Sequence, residues 1–349
     1  MKAWRVHRYG EPADVMRLDD VDTPEPGAGE IRIRVEAATL NFNDLDGIRG
    51  RYATVRVEPP YIPGMEVLGT VEAAGDGADA WIGRRVVAIP SGAYGGYAEV
   101  AVAPTAMSFE MPASVPLPDA AALYMPFHLA WLAVHERAQL RAGETMLVHA
   151  GAGGAGSAAI QLGVQAGARV IAVAGGPRKT AFCKELGAAR VVDHQREDFA
   201  EVALAETDGR GVDVAFDSVG GDTTVRTFRC MAFSGRHLLV GFASGIEQED
   251  EGIVPRPVLF GNFSLVGVCH AYIDDPVAFK EMTGGFNFPA HRDGVEVQAR
   301  LLELLERGDI KPVVDREVPF AELPAALEAM AARETIGRVV VSLVPANRP

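Results

Sequence analysis

The sequence predicts an α/β protein in which one α/β domain is inserted into a β-rich domain built from both ends of the chain. Strand patterns with dense glycine and proline come first, strands and helices alternate from residue 145, and a separate unit returns near the end. Alternating strands and helices build a parallel sheet covered on both faces. At 349 residues the chain is long enough for two cores. We predict residues 1–125 and 273–349 for the discontinuous domain, and residues 126–272 for the inserted one.

The first domain is predicted from strand patterns. The stretch "IRIRVEAATL", Ile31–Leu40, alternates apolar and polar residues like a half-buried strand. Gly69–Ile89 contains two short strands with a Gly/Asp turn between them. A long apolar helix follows, with Asp119 as its predicted N-cap and Pro126 as a position where it could break.

The inserted domain is predicted from a regular succession of strands and helices. Its strands are "TMLVHA", "ARVIAVA", "ARVVDH", "VDVAFDSV", "GRHLLVGF" and "FSLVGVCH", and its first helices are "GSAAIQLGVQAG" and "PRKTAFCKELGA". The tail then returns to the first domain with the helix "VQARLLELLERG", the strand "PVVDREVPF", the helix "LPAALEAMAARE" and the strand "GRVVVSLV".

Composition limits the partners and the location of the protein. The formal net charge of −14 disfavours a nucleic-acid partner, because such binding needs a basic surface. Apolar runs are far shorter than the roughly 20 residues that cross a bilayer, and "MKAWRVHRYG" lacks a signal-peptide core, so we expect a cytoplasmic protein without membrane partners. Cys183, Cys230 and Cys269 have no metal-ligand spacing and are predicted as buried structural thiols.

The stretch "HAGAGGAGSAAIQL", His149 to Leu162, indicates a nucleotide site. Its glycines fit G-x-G-x-x-G between a predicted strand and a predicted helix, where a pyrophosphate binds backbone N–H groups at the helix N-terminus. We assign Gly151 to the tight turn, Gly153 to close approach of the cofactor, and Gly156 to helix–strand packing. The alternative is a turn that only needs glycine. The predicted loop comprises Gly151, Ala152, Gly153, Gly154, Ala155 and Gly156.

The next strand favours NADPH over NADH. An NAD site normally places an acidic residue at the end of this strand to bind the ribose 2′-hydroxyl, yet no acidic residue occurs between Gly156 and Glu185. The strand instead ends in "AGGPRK", which contains Gly175, Arg178 and Lys179. Cations in the first turn of a helix oppose its dipole, so a 2′-phosphate would explain them. Two solvated side chains are the alternative.

Several motifs together resemble the zinc-free quinone oxidoreductase branch of the medium-chain dehydrogenase/reductase superfamily, of the zeta-crystallin type. The matching pieces, in order, are "LNFNDLDGIRGRY", "PGMEVLGTVEAAG", "GGYAEV", "GETMLVHAGAGGAG", "ELGAARVVD", "VDVAFDSVGGD", "GRHLLVGFASG", "NFSLVGV" and the closing "R-x-x-x-GRVVVS". The resemblance implies a GroES-like catalytic domain around an inserted Rossmann domain, with NADPH in the cleft between them. It also implies a homodimer formed through the edge strand "FSLVGVCH".

The resemblance also implies the absence of a metal. Zinc-dependent relatives have a cysteine ligand where this chain has Asn43-Asp44, and a histidine where it has Met65. The four-cysteine lobe of those relatives has no counterpart before Cys183. A cleft without thiolate and imidazole ligands offers no tetrahedral zinc site, so we predict no metal.

The resemblance supplies the candidate site residues. Asn41 is expected beside the nicotinamide and substrate, Tyr52 lines the substrate mouth, and Asp46 and His128 replace residues that the family usually has near the nicotinamide. Asp46 could hold a polar substrate or pair with Arg49 or Arg51. Positions that match the family's cofactor residues are Lys179 and Arg333 at the 2′-phosphate, with His194 in the same pocket. The resemblance also implies that strand ends facing the cofactor carry Ser218, Val219, Gly241 and Phe242.

These residues predict hydride transfer from NADPH to a quinone or an α,β-unsaturated carbonyl. An alkene acceptor needs a proton at its α-carbon, and His128 is the first candidate acid because histidine titrates near neutral pH. The alternative is that His128 is a packed structural histidine. We also predict a structural role for His149. Two other functions remain open: an enoyl-thioester reductase with a basic entrance at Arg49, Arg51 and Arg56, and a non-enzymatic NADPH-binding redox sensor or scaffold.

Overall fold

The computed structural model describes residues 1–51, 56–246 and 252–344. The chain divides into two compact units. The first contains Met1–Tyr124, Ala271–Ala299 and Pro312–Pro349, and the second contains Met125–His270 and Arg300–Lys311.

Residues 300–311 were predicted in the discontinuous domain but group with the second unit. The end of this segment is held by a reciprocal pair of hydrogen bonds: the Gln161 side chain donates to the Lys311 carbonyl at 3.0 Å and accepts from its N–H at 2.7 Å. The predicted domain boundaries themselves stay a prediction.

The N-terminal part of the chain is rich in strands, as its alternating pattern predicts. The long helix at its end differs from the prediction in two ways. It begins at Leu117, which places Asp119 in its first turn, and it continues through Pro126 to Trp131 because proline removes only one N–H donor there. A wider helical turn, Leu132–Arg137, follows. The elements are β1 (Lys2–Val6), α1 (Pro12–Val15), β2 (Met16–Asp20), β3 (Glu30–Thr39), α2 (Phe42–Ile48), β4 (Val67–Ala74), β5 (Arg85–Ala88), β6 (Val100–Pro104), β7 (Ser108–Glu110) and α3 (Leu117–Trp131).

The middle of the chain alternates strands and helices, and its strands form one six-stranded sheet. The order is β10-β9-β8-β11-β12-β13 with every pairing parallel, the arrangement of a Rossmann domain. The elements are β8 (Thr145–Val148), α4 (Gly154–Gln165), β9 (Arg169–Ala174), α5 (Pro177–Glu185), β10 (Arg190–Asp193), α6 (Phe199–Ala205), β11 (Val212–Asp217), α7 (Asp222–Thr227), β12 (Met231–Leu239), α8 (Pro255–Gly261) and β13 (Ser264–Gly267).

The C-terminal segment completes the first sheet. It contains α9 (Pro276–Thr283), α10 (His291–Arg307), β14 (Val314–Pro319), α11 (Leu323–Ala331) and β15 (Arg338–Ser342). The seven-stranded sheet has the order β14-β15-β3-β4-β5-β7, with β6 also on β3, so both ends of the chain share one sheet. Its apolar face packs residues such as Ile33, Val71, Leu327 and Val341 into a common core. The predicted fold class, a β-rich unit with a parallel-sheet α/β unit inserted, is confirmed.

Two further expectations concern burial. Cys183 and Cys230 are buried, but Cys269 is exposed, so the prediction of three buried thiols is wrong for Cys269, which follows the short edge strand β13. Among the helices of the described ranges, none combines the length and apolarity that a membrane crossing requires.

Candidate functional site

The loops of the six-stranded sheet that carry the predicted cofactor residues share one edge. β8 is the strand at which the order reverses, with β9 and β10 on one side and β11 to β13 on the other. In open α/β sheets the crevice outside the carboxyl ends of the strands at such a reversal is where ligands bind. The loops after β8, β9, β11 and β12 all leave the sheet at this edge, because every pairing is parallel.

The loop after β8 ends in a helix N-terminus suited to an anion. Gly153 is the N-cap of α4, and the Ser157 N–H donates to the Gly153 carbonyl at 2.9 Å. The N–H groups of Gly154, Ala155 and Gly156 therefore precede this first helical bond. Unpaired N–H groups and the positive end of the helix dipole together favour a phosphate at this position.

Close packing limits side chains at the glycines of this loop, most severely at Gly156. A Cβ atom on Gly156 would lie 2.3 Å from the Ala150 carbonyl oxygen, which is shorter than any tolerable contact. A Cβ atom on Gly151 would lie 3.1 Å from both Cys183 Sγ and Ile160 Cδ1. The left-handed residue of the turn is Ala150, with φ of 48°, so the assignment of the tight turn to Gly151 is wrong. A side chain at Gly151 would therefore require these neighbouring side chains to shift.

The loop after β9 and the start of α5 carry several of the residues predicted at the 2′-phosphate. Gly175 lies against His194, because a Cβ atom on Gly175 would be 2.7 Å from the His194 Nε2. Lys179 and Arg178 lie in the first turn of α5, half-buried and exposed respectively. These four residues therefore surround the end of β9.

An acidic residue at this edge was missed by sequence reasoning. Asp193 ends the neighbouring strand β10, and its Oδ1 accepts the Gly176 N–H at 3.0 Å. That hydrogen bond lowers the pKa of Asp193 and fixes the backbone just before α5. The strand pattern "ARVVD" does end in this aspartate. Sequence order alone, however, does not show that this strand lies next to β9.

The loops after β11 and β12 contact each other around one buried carboxylate. Asp217 accepts hydrogen bonds from the N–H groups of Val219 and Gly220, at 2.9 and 3.0 Å, and from Thr224 and His237. Burial alone would raise its pKa, but the His237 hydrogen bond and the neighbouring groups hold it well below its usual range. Asp217 thus stays charged and fixes the backbone of the loop.

The second of these loops packs directly on the first. The Ala243 N–H donates to the Ser218 carbonyl at 3.2 Å, and the Ser244 N–H donates to the Val219 carbonyl at 2.9 Å. Gly241 lies beside Ser218, and a Cβ atom on Gly220 would be 2.8 Å from the Phe242 ring. The four predicted residues Ser218, Val219, Gly241 and Phe242 are therefore neighbours.

His149 lies beneath this edge as a buried neutral group. Thr227 donates its hydroxyl hydrogen to the Thr223 carbonyl at 2.7 Å, so the 2.8 Å contact between His149 Nε2 and Thr227 Oγ1 requires the hydrogen on Nε2. Burial lowers the pKa of His149 to about 4. These contacts agree with the prediction that His149 is a structural residue.

In the first unit, Asn41 is the N-cap of α2 and is held by a buried arginine. Arg338 Nη1 donates to Asn41 Oδ1 at 2.7 Å, and Arg338 Nη2 donates to Thr39 and pairs with Glu66. Glu66 and Arg338 were not singled out from the sequence, although both lie in the quoted motifs "PGMEVLGTV" and "GRVVVS". Nothing in the spacing of those motifs shows that they meet at Asn41.

Asp44 is a fully buried carboxyl group in the same helix. Its Oδ2 accepts the Tyr97 hydroxyl at 2.8 Å and the Asn41 N–H at 3.0 Å. Burial raises its pKa to about 6, against the lowering effect of the Tyr97 hydrogen bond. The N-terminus of α2 is therefore anchored by a group that titrates near neutral pH.

Asp46 pairs with an arginine, which was one of its two predicted roles. Arg51 Nη2 donates to Asp46 Oδ1 at 2.6 Å. Arg49 instead pairs with Glu11 at 2.6 Å, and Arg56 pairs with Glu58 at 3.1 Å.

Arg333, His128 and Tyr52 complete the set of predicted site residues. Arg333 lies in the first unit with its Cζ 4.3 Å from the centre of the Phe42 ring, and burial lowers its pKa. His128 is buried in α3, and its ring centre lies 5.7 Å from that of His270 in an edge-to-face arrangement. Tyr52 lies outside the described residues. Among the residues that the structure does describe, no cluster of three or more His, Cys, Asp or Glu side chains could hold a metal ion.

Two family descriptions match the two parts of the chain. "Alcohol dehydrogenase GroES-like domain" matches residues 27–113, and "Zinc-binding dehydrogenase" matches residues 154–283. Together they define a two-part dehydrogenase/reductase, in agreement with the β-rich unit and the Rossmann unit.

Individual relatives narrow this class. A quinone oxidoreductase of Pseudomonas aeruginosa is 31% identical, over 95% of this chain and 97% of its own length, and a quinone oxidoreductase of Rattus norvegicus is 28% identical over 94% and 93%. The mycobacterial protein Rv1454c, solved in complex with NADPH, matches with a TM-score of 0.84 and 30% identity over 98% of this chain and 99% of its own. The chain belongs to the zinc-free quinone oxidoreductase branch of the medium-chain dehydrogenase/reductase superfamily, and it is an oxidoreductase.

Proposed function

We propose that the protein reduces a quinone or an activated alkene, such as an enal or enone, with NADPH and without a metal. The observation that supports this most directly is the carboxyl edge of the six-stranded sheet, where the α4 N-terminus and Lys179 lie beside neighbouring strands. Relatives named as quinone oxidoreductases and a structural neighbour bound to NADPH agree with it.

Different residues of the chain bind different parts of NADPH. When bound, NADPH supplies the hydride, which is chemistry that the protein side chains lack. The N–H groups of Gly154 to Gly156 hold the pyrophosphate, and Lys179 and Arg178 contact the 2′-phosphate beside Gly175 and His194. Ser218, Val219, Gly241 and Phe242 line the remaining edge. A 2′-phosphate role for Arg333 stays a prediction.

The substrate class is tested by NADPH oxidation with a panel of acceptors: a quinone, an enal, an enone and an enoyl-CoA. We expect turnover with the quinone, the enal or the enone, and little with the enoyl-CoA. Tight NADPH binding without turnover of any acceptor would contradict the proposal and favour a redox sensor or scaffold.

The cofactor assignment is tested by Lys179→Ala. One charge-assisted contact to the 2′-phosphate contributes roughly 1.5–3 kcal/mol, so the KM for NADPH should rise about 10- to 100-fold while that for NADH stays unchanged. Lys184→Ala is the matched control, because this exposed lysine lies in the last turn of the same helix. Equal use of NADH and NADPH by both wild type and variant would contradict NADPH specificity.

The role of His128 as an acid is tested by its alanine variant. Loss of a general acid should lower alkene reduction by roughly 10²- to 10⁴-fold and remove a limb of the pH profile, with quinone reduction changed less. An unchanged alkene pH profile in His128→Ala would leave His128 a packed histidine beside His270.

The enoyl-thioester reductase is the weaker alternative. Its distinguishing feature was a basic entrance for a carrier phosphate, yet Arg49, Arg51 and Arg56 are each paired with a carboxylate. A carrier phosphate would have to compete with these carboxylates for the arginines, which favours a small electrophile.

We also propose a homodimer formed through β13. This strand is the last in its sheet, and Leu259 and Phe260 on the preceding helix are each 70% exposed. An open strand edge beside exposed apolar side chains favours association with a second copy.

A further inference from the structure

The imidazole of His194 lies at the end of β9, in the space into which a side chain at position 175 would project. β9 ends at Ala174, and a Cβ atom on Gly175 would lie 2.7 Å from His194 Nε2 and 3.4 Å from its Cε1. An NAD site normally has an acidic residue at the end of this strand, and its carboxylate binds the ribose 2′-hydroxyl. In this chain a basic ring lies where that acidic side chain would begin.

The backbone that carries this ring is fixed to the end of β9. The His194 N–H donates to the Ala174 carbonyl at 3.1 Å. Asp193 Oδ1 accepts the N–H groups of Gly176 and Gln195, at 3.0 and 3.1 Å, and so joins the loop before α5 to the loop after β10. His194 lies between these contacts and is exposed to solvent, so a ligand at this edge can reach its ring.

Two further cations lie at the same end of β9. Arg178 and Lys179 are in the first turn of α5, exposed and half-buried respectively. Cations in the first turn of a helix oppose its dipole, and a bound anion offsets that cost. The strand end therefore carries basic side chains from two loops of the same unit.

The other titratable groups around His194 keep a constant charge near neutral pH. His149 is neutral because burial lowers its pKa to about 4. Asp193 is ionised because its backbone hydrogen bonds lower its pKa, and Arg196 Nε lies 3.8 Å from its Oδ2. Imidazole is the side chain that ordinarily changes its charge between pH 5 and pH 8, so His194 is the group at this edge whose charge depends on pH. The two acidic residues that follow along the chain are paired with arginines, Glu197 with Arg190 and Asp198 with Arg226.

We propose that protonated His194 is a specificity-determining contact for the 2′-phosphate, so that the preference for NADPH over NADH weakens as the pH rises from about 6 to about 8. The inference rests on the proposed NADPH-dependent function. A protonated imidazole donates from both ring nitrogens and carries a positive charge, and both properties favour a phosphate. A neutral imidazole loses the charge and one donor. NADH has a hydroxyl group in place of this phosphate, so its binding should not follow the charge of His194.

The test is fluorescence titration of NADPH and NADH with wild type and His194→Gln between about pH 6 and about pH 8.5. Glutamine keeps an N–H donor but does not titrate. A phosphate monoester itself titrates near pH 6, so the quantity to compare is the Kd of the variant divided by the Kd of wild type, in which the titration of the ligand cancels. We expect this ratio for NADPH to be roughly tenfold larger at pH 6 than at pH 8.5, and the ratio for NADH to stay constant.

Two further variants separate charge from shape. His7→Gln is the matched control, because His7 is an exposed histidine of the other unit, and its Kd ratio should not change with pH. His194→Arg supplies a permanent charge, so its advantage over His194→Gln in binding NADPH should be the same at every pH. An advantage of His194→Arg that disappears at high pH would contradict a contact between this position and the phosphate.

A smaller ligand pair isolates the phosphate itself. Adenosine 2′,5′-bisphosphate differs from 5′-AMP only by the 2′-phosphate, and calorimetric titration should show the pH-dependent ratio for the bisphosphate alone. Tight NADPH binding with a Kd ratio for His194→Gln that does not change with pH would overturn this inference and leave the proposed function intact. Equal affinity of wild type for NADH and NADPH at every pH would overturn the proposed cofactor, and with it this inference.

Discussion

At the residue scale, His149 makes the second unit sensitive to acid. Its pKa is about 4 in the folded chain and 6.5 in the unfolded chain, so the unfolded chain binds the proton first. Stability is therefore complete above pH 6.5 and is lost as the pH falls toward 4. His149→Gln keeps a donor toward Thr227 but does not titrate.

We expect urea unfolding to show that lowering the pH from 7 to 5 costs wild type about 2 kcal/mol more than His149→Gln. His194→Gln is the control, because this histidine is exposed. Wild type and His149→Gln losing stability in parallel would contradict the buried neutral state of His149.

Asp44 has the opposite pH dependence. Its pKa is about 6 in the folded chain and 3.8 in the unfolded chain, so the folded chain holds the proton longer. Stability is lost as the pH rises from about 4 to about 6. Asn in Asp44→Asn can still accept from Tyr97 and from the Asn41 N–H, and it does not ionise.

The stability of Asp44→Asn relative to wild type should therefore rise by up to about 3 kcal/mol between pH 4 and pH 7.5, whatever its constant offset. Thermal or urea unfolding of the two proteins across this range measures the slope. A relative stability that does not change with pH would mean that Asp44 ionises at its ordinary pKa.

The sequence could identify Asn41 only through a family resemblance, and it could not identify Arg338. The two residues are 297 positions apart, and their contact depends on the pairing of β15 with β3. Local patterns carry information about neighbours in the chain, but a buried hydrogen bond between two distant segments leaves no periodic signal. The glycine loop was different, because its strand, turn and helix are contiguous.

At the element scale, the junction of β8 and α4 is set by Gly156. Alanine inside a helix is normally favoured over glycine by about 1 kcal/mol. Here its Cβ would lie 2.3 Å from the Ala150 carbonyl oxygen, and a backbone atom cannot move aside without shifting the turn. The steric effect therefore outweighs the gain in helix propensity.

We expect Gly156→Ala to lower the melting temperature and to weaken NADPH binding at least tenfold, measured by fluorescence titration. Gly267→Ala is the control, because a Cβ atom there meets nothing within 4 Å. Unchanged NADPH affinity in Gly156→Ala would show that the α4 N-terminus does not hold the pyrophosphate.

Element types followed the sequence closely where hydrophobic periodicity was strong, as in the strands and helices of the six-stranded sheet. Helix ends were less accurate. Asp119 looked like an N-cap and Pro126 like a break, yet α3 starts at Leu117 and runs through both. Proline costs one backbone hydrogen bond, and the burial of Leu123, Phe127 and other apolar residues of α3 offsets that cost.

At the scale of the whole molecule, the discontinuous unit explains why the C-terminal strands matter for a site near the N-terminus. β15 supplies Arg338 to Asn41 through a sheet that joins both chain ends. The hydrogen bond that holds the Asn41 side chain therefore requires β15 to be folded. In the second unit, β13 is the last strand of its sheet and pairs with β12 on one side.

Dimerisation through β13 can be tested at a residue whose N–H points away from β12. The Val268 N–H donates to the Leu239 carbonyl at 3.0 Å, so alternation along the strand directs the Val266 N–H toward β12 and the Leu265 N–H toward the open edge. Leu265→Pro removes an outward donor at an edge-strand position, where proline is tolerated, and should convert a dimer of twice 37.1 kDa into a monomer in sedimentation experiments. Leu265→Thr, which keeps the N–H, should remain dimeric. A wild type that sediments as a monomer at micromolar concentration, or a Leu265→Pro variant that remains a dimer, would contradict pairing at this edge.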